Sequence, residues 1–188
     1  MAWVAMRPDA SLATVLVIIL FLMPVEGYVV RAGHALKLGK EKVTHLHFFF
    51  HETLSGKNLT TAEVAKPNNT NFPFSFGSVF VIDAFLREEV ERSSRVVGNV
   101  QGIYAYTGLD KFTLVMALDF AFTTGKYKGS SFSVMSRNPI SETKRDLAVV
   151  GGRGKFQLAR GVALGTARLL KFPFIIVEYK VTLFHYEI

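Results

Sequence analysis

Eight runs of apolar, β-branched and aromatic residues recur along the chain, at 45–54, 78–86, 96–106, 112–123, 130–136, 145–150, 156–168 and 174–186. Turn signals fill most of the gaps: SGKN, TGLDK, TTGKYKG, RNPIS, GGRG and KFP. Runs of this kind, bounded by Gly, Pro, Asn and Asp, read as strands and hairpin turns. No long segment has helical periodicity with a cap at each end, and DAFLREEVERSS (83–94) has room for a turn or two of helix at most. Eight strands in one domain predict an all-β fold, an antiparallel sheet closed into an eight-stranded barrel. The interior of such a barrel holds side chains or one small ligand. A β-sandwich is the alternative, because strand spacing alone does not separate the two.

The N-terminus carries an address. TVLVIILFLM (14–23) is an apolar run followed by Pro24, Val25, Glu26 and Gly27. It is shorter than the roughly 20 residues a membrane span needs, and the small residues after it suit a cleavage point. The expected organisation is a signal peptide over 1–27, a flexible leader over 28–44 and a barrel domain over 45–188, with an uncleaved anchor as the alternative. The mature protein would be secreted and free of the membrane. Loss of Arg7, Asp9 and Glu26 with the signal raises the formal charge from +7 to +8. Outside the cell that charge suggests retention on an acidic matrix rather than nucleic-acid binding, or simply solubility. The chain has no cysteine, so the core must hold without disulfides. Asn58-Leu59-Thr60 and Asn68-Asn69-Thr70 are glycosylation sequons in a polar stretch, 55–75, that reads as an exposed loop.

The residues that could carry chemistry cluster in HLHFFFHETLSGKN (45–58). With period two, His45, His47, Phe49 and His51 share one strand face and Leu46, Phe48, Phe50 and Glu52 the other. If the second face points inward, Glu52 is a carboxyl in apolar surroundings, kept protonated and able to donate a proton to a bound molecule. If the strand ends sooner, Glu52 reaches solvent at the rim. The three histidines are spread too far along a strand to hold one metal ion well, and a polar outer face accounts for them as readily. GGRGKFQLARG (151–161) is not a phosphate loop, since Phe156 follows the lysine, and a tight turn explains its glycines. Of Arg145 and Asp146 only one can face inward, and an inward arginine needs an acidic or phenolic partner. Tyr104 could supply a phenol or only fill the core. There is no serine elbow, cysteine nucleophile or nucleotide fingerprint, and no cofactor or metal is expected.

Together LHFFFHETLSGKN, FGSVFVIDAFL, GNVQGIYAY, GKYKGSSFSVMSRNPI, KRDLAVVGGRGKFQLARGVA and VEYKVTLFHY resemble the plant dirigent family, over roughly residues 45–188. The resemblance implies an eight-stranded antiparallel barrel. It also implies a homotrimer, or alternatively a dimer, secreted to the apoplast. Such proteins have no oxidative centre. A separate laccase or peroxidase oxidises a phenol such as coniferyl alcohol, and the dirigent protein orients the radicals so that one stereoisomer forms. In lignan-forming members the cavity also assists closure of a quinone methide by acid catalysis.

The resemblance places the family's first-strand acid at Glu52, where lignan-forming members have Asp. It places the cavity tyrosine at Tyr104 and the cavity arginine at Arg145. Phe48 and Phe50 are implied as cavity wall, and Asp83 as a pocket or structural residue. The second acid of lignan-forming members falls on Asn138, whose amide cannot act as a general acid. The expected function is stereocontrol of monolignol radical coupling in lignan or phenolic biosynthesis. The alternatives are acid-assisted cyclisation of an isoflavonoid or terpenoid quinone methide, and a carrier or defence protein that binds phenolics without altering them.

Overall fold

The computed structural model describes residues 38–68 and 74–186. The predicted signal peptide and most of the leader lie outside them. Nine strands form in chain order: β1 (Glu41–Thr53), β2 (Thr61–Ala65), β3 (Val79–Arg87), β4 (Val96–Tyr106), β5 (Thr113–Phe122), β6 (Ser131–Pro139), β7 (Lys144–Arg153), β8 (Arg160–Lys171) and β9 (Phe174–Tyr186). Alternation dictates them. In β3, Phe80, Ile82, Ala84 and Leu86 are buried while Val81, Asp83 and Phe85 are exposed, the period-two signature of a sheet with one face in the core.

Neighbouring strands pair antiparallel in the order β1-β9-β8-β7-β6-β5-β4-β3-β2. β1 also pairs with β3, through Phe49↔Arg87, Phe50↔Leu86 and His51↔Phe85. That second pairing closes β1 and β3–β9 into the expected eight-stranded barrel and leaves β2 as a short extra strand on β3. The barrel is seamed most firmly between β1 and β9, which stay in register from Glu41↔Tyr186 to Thr53↔Phe174. Gly102 in mid-β4 has φ of +152°, and a Cβ there would lie 2.1 Å from the Ala117 carbonyl oxygen. Only glycine permits that approach of β4 to β5.

Three expectations need correction. The leader does not run to residue 44, because β1 begins at Glu41 and pairs with the end of β9. The stretch 55–75 is not loop throughout, because Thr61–Ala65 adds a strand to β3. Segment 83–94 contains no helix: β3 continues to Arg87, and a connection follows in which the Glu88 amide donates to the Arg95 carbonyl. In addition, Gly154–Phe156 is a 3₁₀ turn, so the run 156–168 enters its strand only at Arg160.

The interior divides into two halves. Where the β5–β6 and β7–β8 connections lie, Phe48, Phe120, Phe122, Phe132 and Phe156 fill the barrel. Phe120 and Phe132 stack with centroids 5.0 Å apart, and Phe48 packs on both. Each such buried ring contributes roughly 1.5–3 kcal/mol by leaving water. The opposite half is not filled, and the site lies there.

Candidate functional site

Glu52 stands one residue from the end of β1, on the inward face with Phe48 and Phe50. The chain after it turns back at once. The Thr60 amide donates to the Thr53 carbonyl at 2.8 Å and the Thr53 amide to the Thr60 hydroxyl at 2.9 Å. This short return delivers Thr61, whose hydroxyl donates to Oε1 of Glu52 at 2.7 Å. Tyr104 arrives from β4, its ring stacked on Phe80 at 5.0 Å, and its hydroxyl donates to the same Oε1 at 3.0 Å. Oε2 makes no hydrogen bond among the described residues.

The carboxyl borders a cavity of about 120 Å³. Phe50, Ile82, Leu114, Met116, Leu118 and Val177 give it apolar walls, while Tyr104, Tyr106, Tyr179, Asn138 and Arg145 bring polar groups. Leu170, also on its wall, is 65% exposed and marks the mouth. Few polar groups converging inside apolar walls is the usual composition of a small-molecule site.

Burial raises the Glu52 carboxyl above the ordinary carboxylate range, and the bonds from Thr61 and Tyr104 pull it partly back. Burial also pushes the Tyr104 and Tyr106 phenols far above their ordinary value, with the nearby Glu52 charge adding to the push. Tyr179 is raised to about 12 by burial, against the pull of Arg145. All three phenols are therefore neutral donors at physiological pH. Arg145 is only 5% exposed, and among the described residues neither its Nε nor the Oδ1 of Asn138 has a partner. The neighbouring Asp146 points outward.

The fold thus brings Glu52, Tyr104, Arg145, Phe50 and Asn138 to one cavity. It does not bring Phe48 or Asp83. Phe48 belongs to the packed aromatic half, in contact with Phe120, Phe122 and Phe132. Asp83 lies exposed on the outer face of β3, where the Gln101 amide donates to it at 3.0 Å. The histidines face outward to separate partners: His45 to Thr182, His47 to Glu178, and His51 to the Glu89 carbonyl. Among the described residues no group of three metal-ligating side chains occurs. Asn58 is exposed in the turn after β1, and Asn68 is exposed, although Asn69 and Thr70 of its sequon lie outside the described residues.

Sequence reasoning missed Thr61, Tyr106 and Tyr179. Tyr106 stands two residues after Tyr104, and Tyr179 shares its face with Val177 and Val181, so period two could have placed both inside. Thr61 carries no such signal, because its position depends on the β2 strand.

A family model described as dirigent-like protein matches residues 43–184. Dirigent protein 15 of Arabidopsis thaliana is 46% identical over 159 residues, covering 80% of this chain and 84% of that protein. Pterocarpan synthase 1 of Glycyrrhiza echinata is 39% identical over 153 residues, covering 78% and 81%. The solved structure of a pterocarpan synthase dirigent protein superposes with a TM-score of 0.79 at 37% identity, covering 85% of this chain and all of that one. A matched domain spanning most of the chain, relatives of this identity and a shared closed barrel lead to one conclusion: the protein belongs to the dirigent family.

Proposed function

We propose that this protein closes a phenolic quinone methide stereoselectively, with Glu52 as general acid. The observation that carries the reading is the convergence of Thr61 and Tyr104 on Oε1 of a buried Glu52. Both donors occupy one oxygen, so the acidic proton resides on Oε2, at the cavity. The proton passes to the quinone methide carbonyl oxygen, which becomes a phenol. A hydroxyl elsewhere in the same molecule attacks the exocyclic carbon, and its proton returns to the carboxylate. The reaction is an isomerisation and needs no oxidant. Arg145, with its unpaired Nε, and the neutral phenols orient the substrate's oxygens, and the apolar wall holds its rings so that one face is attacked. The likeness to pterocarpan synthases supports this reading over monolignol coupling.

In this reading the protein is exported to the apoplast, carries glycan at Asn58 or Asn68, and assembles as a homo-oligomer. Outward-facing Val81, Ile103, Val115 and Met135 on β3–β6 supply an apolar face for that assembly. A laccase or peroxidase partner would be needed only for radical coupling. The discriminating experiment supplies quinone methides and monolignols separately, with and without a one-electron oxidase, and resolves the products by chiral chromatography. Enantiomeric excess from a quinone methide without oxidase supports the proposal. Enantiomeric excess only from monolignols with oxidase replaces it by radical coupling, and racemic product throughout replaces it by the carrier reading.

A further inference from the structure

Two connections at the packed end of the barrel are near copies of each other. Gly125–Tyr127 (GKY) and Gly154–Phe156 (GKF) each form one 3₁₀ turn. The glycines have φ of +69° and +64°, and the residues before them, Thr124 and Arg153, are extended at −136° and −139°. In each turn the following amide, of Lys128 or Gln157, donates back to the glycine carbonyl. The two aromatic rings meet at 4.8 Å, so the middle residues of both turns are held at the same rim. Those residues are Lys126 and Lys155, and Lys155 Nζ donates to the Lys126 carbonyl at 2.8 Å.

Between the turns and the paired ends of β1 and β9 lies a hollow of about 490 Å³, whose wall includes Lys42, Lys126, Lys155, Gln157, Thr44 and His185. Among the described residues no carboxylate lines it. Glu41, on the adjacent strand position, is engaged by Arg160 and by the Tyr186 hydroxyl. His185 is 5% exposed; its Nε2 bonds with the Thr44 hydroxyl at 2.9 Å, and its Nδ1 has no partner among the described residues. Lys126 and Lys155, held at one rim with no carboxylate among the described lining residues, favour an anionic ligand there.

We propose that this hollow is a second ligand site, separate from the Glu52 cavity, and that it takes an acidic saccharide. The carboxylate of a uronic acid unit would sit at Lys126 and Lys155, and its hydroxyls would reach Gln157 and Thr44. Lysines serve here as point charges on flexible stems, which suits a carboxylate offered by a pliable sugar chain. A free inorganic oxyanion satisfies the lysines alone and leaves the Gln157 amide and the Thr44 hydroxyl unused. A neutral sugar brings no charge to Lys126 and Lys155. The formal charge of +7 draws an acidic polymer toward the protein in the first place.

The test is titration of the full mature protein at about 0.15 M salt, where distant surface charges are screened, with trigalacturonate, neutral maltotriose and inorganic phosphate. Trigalacturonate should bind, phosphate at least tenfold more weakly, and maltotriose not measurably. Lys126→Met with Lys155→Met, which keeps the apolar stems of two exposed side chains, should cost at least tenfold in trigalacturonate affinity with an unchanged melting temperature, and each single change should cost part of that. Glu52→Gln should leave this binding intact. Equal binding by the double variant and the parent overturns the site. Phosphate binding as tight as trigalacturonate overturns the saccharide assignment.

Discussion

The Tyr104 hydroxyl donates to Oε1 of Glu52 at 3.0 Å, joining two strands whose residues are 52 apart in sequence. The bond lowers the carboxyl's pKa while burial raises it more. The balance leaves an acid that holds its proton at pH values where an exposed glutamate has begun to ionise, and that is still able to give it away.

This balance has a signature in stability. The unfolded chain's carboxyl ionises near 4.5, and the folded one only at higher pH. The unfolded state therefore binds fewer protons between the two values, and stability falls as pH rises through that window. Glu52→Gln removes this dependence. Thermal melts of both proteins at stepped pH should show the parent losing ground to Glu52→Gln above about pH 4.5, with no such divergence below it.

Tyr104→Phe deletes one influence that lowers the carboxyl's pKa. The alkaline fall of the closure rate, which marks loss of the Glu52 proton, should move to higher pH, and the melting temperature should drop by an amount equivalent to about 0.5–1.5 kcal/mol. A rate profile recorded across pH checks the first, and calorimetry the second.

Arg145 is a buried cation whose Nε has no partner among the described residues. Such a charge costs desolvation without full return. Arg145→Met should leave the melting temperature unchanged or raise it, while affinity for the phenolic product falls at least tenfold. Calorimetric titration alongside thermal melts separates the two effects.

Phe48 and Asp83 supply controls, because neither borders the cavity. Phe48→Ala should destabilise by about 3–5 kcal/mol through the void it leaves among Phe120, Phe122 and Phe132. Its closure rate per folded molecule should change little. Asp83→Asn should alter neither stability nor rate beyond small surface effects. Urea melts and rates normalised to folded protein test both.

Much of this architecture was legible in the sequence because strand alternation and turn chemistry are local. The period of two in HLHFFFHE set Glu52 on the face of Phe48 and Phe50; Glu52 and Phe50 line one cavity, whereas His47 and His51 bond to Glu178 and the Glu89 carbonyl away from it. Period two could not say which inward residues meet a cavity and which meet other rings. Phe48 and Phe50 share a face, yet only Phe50 lines the cavity, because rings from β5 and β6 fill the barrel beside Phe48. Asp83 alternates outward between Ile82 and Ala84, so of the two roles the resemblance implied, pocket or structural, the pocket one does not apply. Thr61 was out of reach, since its contact with Glu52 requires a β2 strand that five mostly polar or small residues do not announce.

In the proposed mechanism a protonated Glu52 donates the proton that closes the ring. The most direct measurement is the rate and enantiomeric ratio of quinone methide closure by the parent and Glu52→Gln, without oxidant, across pH. The account predicts enriched single-handed product from the parent, with a rate that falls as pH rises through the raised pKa of Glu52. It predicts a Glu52→Gln protein that folds, shows no such pH dependence and is slower by about 10²–10⁴-fold. A Glu52→Gln protein with the parent's rate, pH profile and enantiomeric ratio would contradict it.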